Sequence, residues 1–175
     1  MIVWLNGTFG AGKTTTANLL KDALPARVFD AEQIGYLLRP IIGDVPCHDF
    51  KEWDPWRGLT VQTARQVLDF VGGTLVIPQS VLQRHYWTEL MDGFAEAGIP
   101  VRAFTLHADR EVFEARVEAD RDEPTAVRWR LEHRDAYEAA LEEWMREATT
   151  VLDTTGRTPG EVAALIGRHV GERSG

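Results

Sequence analysis

The sequence predicts a three-layer α/β fold with a parallel sheet, on three observations. A short apolar run, Ile2-Val-Trp-Leu5, leads directly into Gly7-Thr-Phe-Gly-Ala-Gly-Lys-Thr14, which satisfies the phosphate-binding pattern G-x-x-x-x-G-K-[ST]. Four further short apolar runs follow, at 27–30, 74–78, 101–106 and 149–153. Helical periodicity separates each run from the next. Strands that alternate with helices must be joined by right-handed crossovers, and each helix must bury its stripe on the sheet. The strands therefore run parallel with helices on both faces.

The first unit carries the chemistry. Glycines at 7, 10 and 12 let the backbone approach a ligand closely, so its amides can wrap around phosphate oxygens. Gly7, Thr8, Phe9, Gly10, Ala11, Gly12, Lys13, Thr14 and Thr15 are the expected ATP cradle. Lys13 supplies a compact cation for the β and γ phosphates, Thr14 offers a hydroxyl to Mg²⁺, and the helix opening there points its positive end at the anion. Ala17, Leu20 and Leu24 give that helix its apolar face, and Pro25 ends it.

Arg27-Val-Phe-Asp30 reads as the second strand, and Ala31 to Leu38 as a short helix closed before Pro40. Residues 39–57 carry three prolines and two tryptophans without periodicity, which reads as a long substrate loop. A helix from Gly58 to Val71 ends at Gly72-Gly73, and Thr74-Leu-Val-Ile-Pro78 is a buried strand that Pro78 must terminate. The next helix carries Trp87, Leu90, Met91 and Phe94 on one face, and Val101 to Leu106 is a strand. Helices over 109–120 and about 127–148 flank a polar break at Arg121-Asp-Glu-Pro-Thr125, so about 116–134 reads as a lid. Thr158-Pro-Gly-Glu161 is a capping box with Pro at the first helical position, and it starts a final helix.

Composition bounds what this fold does. The 175 residues suit one domain, and 44% hydrophobic with 26% charged residues is ordinary for a globular chain. A net charge of −8 argues against broad nucleic-acid binding. The lone Cys47 rules out an internal disulfide, and no run approaches the ~18 apolar residues of a membrane span. A reducing, cytoplasmic setting is expected. Nothing in the sequence fixes the oligomeric state.

Several features together resemble the P-loop kinase-like phosphotransferases, and most closely the bacterial tunicamycin-resistance protein family. They are the opening Ile2 to Thr14, Val28-Phe-Asp30 followed by Gly35 and Leu38-Arg39, Asp49-Phe50, Trp56-Arg57, Leu75-Val-Ile-Pro78 and Phe104-Thr-Leu106. The resemblance implies an ATP-binding protein that protects against a uridine-containing nucleoside antibiotic, with sheet order 2-3-1-4-5. Two departures stand out. Many P-loop enzymes place an acid at the end of the strand beside the P-loop strand, where this chain has Val76-Ile-Pro-Gln79. Related lids pair their arginines closely, whereas Arg116 and Arg121 are five apart.

Phosphoryl transfer needs charge neutralised at the γ phosphate and a group that orients the acceptor hydroxyl. Lys13, Arg116 and Arg121 are the candidates for the first, with Arg128, Arg130 and Arg134 nearby. Asp30 is the candidate for the second, because ligands bind at the carboxyl ends of strands; its structural alternative is to cap the helix from Ala31. Asp30, Arg39, Trp56, Arg57 and Gln79 are the expected substrate-binding residues, with Trp53 beside them and core packing the alternative for the indoles. His85 and His107 read as structural. The expected function is an ATP- and Mg²⁺-dependent phosphotransferase for a small hydroxylated acceptor, with resistance to tunicamycin implied by the resemblance. The rivals are an ATP-binding protein that sequesters the antibiotic and a metabolic nucleoside or sugar kinase.

Overall fold

The computed structural model describes residues 1–8, 10–119, 131 and 133–171. In chain order it contains β1 (Ile2–Gly7), α1 (Lys13–Ala23), β2 (Ala26–Val28), α2 (Glu32–Ile42), a 3₁₀ turn at Phe50–Glu52, α3 (Asp54–Val71), β3 (Thr74–Pro78), α4 (Arg84–Glu96), β4 (Val101–His107) and α5 (Arg110–Ala119). Then come α6, which opens as Arg134–Ala140 and continues through a π-helical turn at Leu141–Met145 to Arg146–Ala148, β5 (Thr150–Asp153) and α7 (Pro159–Gly171). The five strands are parallel in the order β2-β3-β1-β4-β5. This is the α/β P-loop fold and strand order expected.

Alternation along β1 builds two cores, since successive side chains of a strand point to opposite faces. Ile2 and Trp4 join Leu75 and Ile77 under α2, α3, α4 and α6, while Val3 and Leu5 join Val76, Phe104, Leu106 and Leu152 under α1 and α7. Trp4, Trp87 and Trp144 pack in series, Trp4 edge-on to Trp87 at 5.7 Å and Trp87 tilted against Trp144 at 5.6 Å between centroids. Every residue of β1 is buried, as a strand covered on both faces requires.

Two boundaries differ from the sequence expectation, and a third cannot be compared. The second helix does not close before Pro40 but runs to Ile42 with Pro40 inside it. Pro40 falls near the end of the helix, and the carbonyl it leaves without a donor belongs to half-exposed Tyr36, where water can satisfy it. The loop expected over 39–57 is shorter, because α3 begins at Asp54 with Pro55 in its first turn. Pro is well tolerated there, since the first amides of a helix have no partner to lose. Finally, α6 begins within the described residues at Arg134; the expected start near Val127 lies outside them.

Candidate active site

The loop after β1 takes the shape its glycines permit. Gly7 has φ +134°, and a Cβ there would meet the Leu106 carbonyl oxygen at 2.6 Å, so no other residue fits between β1 and β4. Gly12 caps α1 with φ +83°, and no side chain caps the first turn. The opening amides of α1 are thus left for an anion, where the helix dipole also favours negative charge. Lys13 is half-buried and its Nζ donates to the Thr8 carbonyl at 2.7 Å, which holds the cation over the loop. Thr8 is fully buried and its Oγ1 has no hydrogen-bond partner. Thr14 and Thr15 are exposed on the first turn of α1. Phe9 lies outside the described residues.

The wall on the β3 side is rigid. Asn6 Oδ1 accepts from the amides of Gly7 and Val81, and Asn6 Nδ2 donates to the Val81 carbonyl. Ser80 Oγ donates to the Gly7 carbonyl at 2.7 Å. Gln79 is buried where other P-loop enzymes carry an acid, its amide donates to Leu5, and its Oε1 has no partner. With Thr8 Oγ1 this makes two buried polar atoms at the strand ends that lack a partner, an arrangement that suits a polar ligand.

On the β2 side lies a cavity of about 500 Å³ lined by Glu32, Arg39, Val45, Asp49, Lys51 and Trp53, among others. Asp30 follows β2 as expected but is exposed, and both its carboxylate oxygens are occupied: Oδ1 accepts the Glu32 amide and Oδ2 the Gln33 side chain, each at 3.0 Å. The capping alternative thus describes its contacts. Glu32 is half-buried and was missed by sequence reasoning. Burial, aided by the neighbouring Asp30 and Asp49 charges and opposed by Lys51 and Lys13, raises its carboxyl above the ordinary range. Asp49 accepts the Lys51 amide at one oxygen and pairs with Lys51 Nζ at the other. Lys51 is 4% exposed and lies over the Phe50 ring.

Two expected substrate residues take up packing instead. Trp56 is fully buried, donates its Nε1 to the Ala31 carbonyl at 2.9 Å and does not line the cavity. Arg57 is 5% exposed, and its guanidinium bonds Glu89, Asp54 and the Lys51 carbonyl while stacking on Tyr86. A guanidinium so committed ties α3 to α4 and holds the turn that carries Lys51. Arg39 does line the cavity, on the same α2 face as Glu32.

On the other flank, Arg116 from α5 donates to the Thr154 hydroxyl and carbonyl at 3.1 and 2.8 Å, and to the Arg157 carbonyl at 3.4 Å. These residues border a cleft of about 110 Å³ with Gly10, Ala11, Gly12 and Thr16. The structure therefore brings Arg116 to the P-loop; Thr154 and Arg157 carried no sequence signal beyond their place after the last strand. Arg121, Arg128 and Arg130 lie outside the described residues. Arg134 is buried at the start of α6, bonded to Glu138 and the Ala108 carbonyl and stacked on Phe113 and Tyr137. His107 Nδ1 meets the Tyr137 hydroxyl at 3.0 Å, and burial followed by the Arg134 charge lowers its pKa from 6.5.

Among the described residues no group of three or more His, Cys, Asp or Glu is placed to hold a metal. Thr14 is the hydroxyl that would face a divalent ion brought in with a bound triphosphate. No helix among those residues is long and apolar enough to cross a membrane.

A family model described as an AAA domain matches residues 2–144. The structure of the tunicamycin resistance protein of Deinococcus radiodurans superposes with a TM-score of 0.75 at 30% identity, covering 97% of this chain and 95% of that one. The chain belongs to the tunicamycin resistance protein family. As members of the P-loop kinase-like fold, such proteins share their architecture with more distant enzymes. A sugar kinase of a Janibacter species matches with TM-score 0.64 at 21% identity over 97% of this chain and 91% of that one. The APS kinase of Mycobacterium tuberculosis, solved with AMPPNP and APS, matches with TM-score 0.60 at 18% identity over 97% and 96%. At these identities the likeness is one of fold. No curated protein sequence matches.

Proposed function

We propose that the protein is an ATP- and Mg²⁺-dependent phosphotransferase for a small hydroxylated acceptor, with tunicamycin the first acceptor to test. The observation that carries this reading is the pairing of a P-loop, whose Lys13 is held by the Thr8 carbonyl above uncapped α1 amides, with a cavity of about 500 Å³ lined by Glu32, Arg39 and Lys51 on the β2 side. The P-loop amides and Lys13 hold the β and γ phosphates. Arg116, which borders the P-loop cleft, contacts the nucleotide from the side of α5. The Thr14 hydroxyl would hold a Mg²⁺ ion brought in with the nucleotide, and that ion would supply neutralisation of phosphate charge. Arg39 and Lys51 orient the acceptor, and a carboxylate at the β2–α2 junction takes its hydroxyl proton. The acceptor oxygen then forms its bond to the γ phosphorus as the bond to the β-phosphate oxygen breaks, and the electron pair leaves with ADP.

A second reading, sequestration of the antibiotic without transfer, draws support from Gln79, which stands where an acid would order the metal's water shell. One experiment separates the two. The protein is incubated with ATP, Mg²⁺ and tunicamycin, and the drug is weighed by mass spectrometry. Gain of one phosphate supports transfer. Tight binding of unmodified drug would replace that reading with sequestration.

A further inference from the structure

Glu32 and Asp49 line the cavity, Asp30 lies two residues before Glu32, and the three differ in what their oxygens already do. Asp30 has both oxygens engaged by the first turn of α2. Asp49 has both engaged by Lys51. Glu32 accepts no hydrogen bond among the described residues, although it is half-buried and lines the cavity. It shares an α2 face with Arg39, seven residues on, as helical spacing requires.

We propose that Glu32, rather than Asp30, is the residue that receives the acceptor's proton, and that Asp30 is a positioning residue that fixes the first turn of α2. The assignment rests on the phosphotransferase reading. Glu32 lines the cavity and neither of its oxygens is engaged by the described residues, whereas Asp30 does not line it and is held by the first turn of α2, and Asp49 is ion-paired with Lys51. The acceptor O–H bond breaks toward Glu32 as its oxygen bonds the γ phosphorus; ADP departs with the electron pair, and Glu32 later returns the proton to water. The charges around Glu32 tune it for this. Burial, Asp30 and Asp49 favour the protonated carboxyl, Lys51 and Lys13 the carboxylate, and Arg39 and His48 line the same cavity. A base whose pKa is raised toward the working pH transfers protons more effectively.

The test compares wild type with Glu32→Gln, Glu32→Asp and Asp30→Asn, using ATP·Mg²⁺ with tunicamycin and, separately, with water as acceptor in the slow hydrolysis reaction. Glu32→Gln should lose about 100-fold in kcat, keep its KM for ATP, and lose the acidic limb of the pH profile. Its melting temperature should be no lower than wild type, because a half-buried charge has been removed. Glu32→Asp should recover part of the rate. Asp30→Asn should lose far less than Glu32→Gln, and its acidic limb should move to lower pH, since the Asp30 charge helps to raise Glu32. Retained turnover in Glu32→Gln, or an acidic limb that persists in it, overturns the assignment. If tunicamycin is untouched but ATP hydrolysis shows the Glu32-dependent limb, the acceptor reading fails and the assignment stands. A wild type inert in both assays overturns both.

Discussion

Replacing Trp56 with Phe tests whether this indole is an acceptor platform or a brace. Its ring is wholly inside the protein, 5.5 Å from Phe50, and its Nε1 bonds the Ala31 carbonyl at 2.9 Å. That carbonyl also receives the Ile34 amide at 3.2 Å, so the substitution leaves it with a partner, and the lost bond is worth about 1 kcal/mol. Shrinking the indole to a phenyl removes buried surface and leaves a small void, costing about 1–2 kcal/mol more. The total is about 2–3 kcal/mol, which for a chain of this size lowers the melting temperature by roughly 4–12 °C. Thermal melting by circular dichroism measures the shift, and calorimetry with ATP·Mg²⁺ should find nucleotide affinity retained. An unchanged melting temperature with lost ligand binding would refute the packing argument and return Trp56 to the acceptor site.

Other perturbations address the flanks of the site. Lys13→Ala should weaken ATP binding about 10- to 100-fold, the equivalent of one charge-assisted contact, with an unchanged far-ultraviolet spectrum; equal affinity in the two proteins would dismiss the P-loop assignment. Arg116→Met should weaken ATP binding and speed hydrogen exchange at 154–157, because the guanidinium bonds that hold this segment are gone; unaltered exchange would show that the segment holds itself. His107 gives a pH effect of definite sign. Its folded pKa lies below 6.5, so as pH falls the unfolded chain takes up the proton first, and the stability contributed by the neutral imidazole is lost below that value. Denaturant melts of His107→Gln should be less sensitive to acid there than those of wild type, and identical slopes would dismiss the imidazole as the cause.

What the sequence disclosed was what is local. The glycine pattern from 7 to 14, the apolar alternation of β1 and the capping box at Thr158, where the Thr158 amide meets Glu161 at 2.8 Å, each depend on neighbours within a few residues. The strand order and fold followed from motif resemblance and crossover rules. What stayed hidden depends on partners distant in sequence. Arg57 looked like a ligand because nothing nearby shows that Glu89, thirty-two residues on, neutralises it. Pro40 and Pro55 looked like breaks because proline is tolerated in a helix only where its missing amide costs little, and that depends on exposure and on where the helix begins. Asp30 drew attention as the strand-end acid and obscured Glu32, although Glu32 and Arg39 already lay seven apart, the spacing of one helical face.

Asn6 has an engineering consequence. The ladder between β1 and β3 stops where Pro78, which lacks an amide hydrogen, faces Leu5. One residue on, the Asn6 carboxamide donates to and accepts from the Val81 backbone, as a further strand residue would. The stem of the P-loop and the lead into α4 are therefore welded into one chassis. The segment from Gly43 to Trp53, which lines the cavity on the β2 side, lies outside this chassis. A library that varies only 43–53 can thus search for new acceptors on an undisturbed nucleotide grip, whereas changes at Asn6 would loosen both at once.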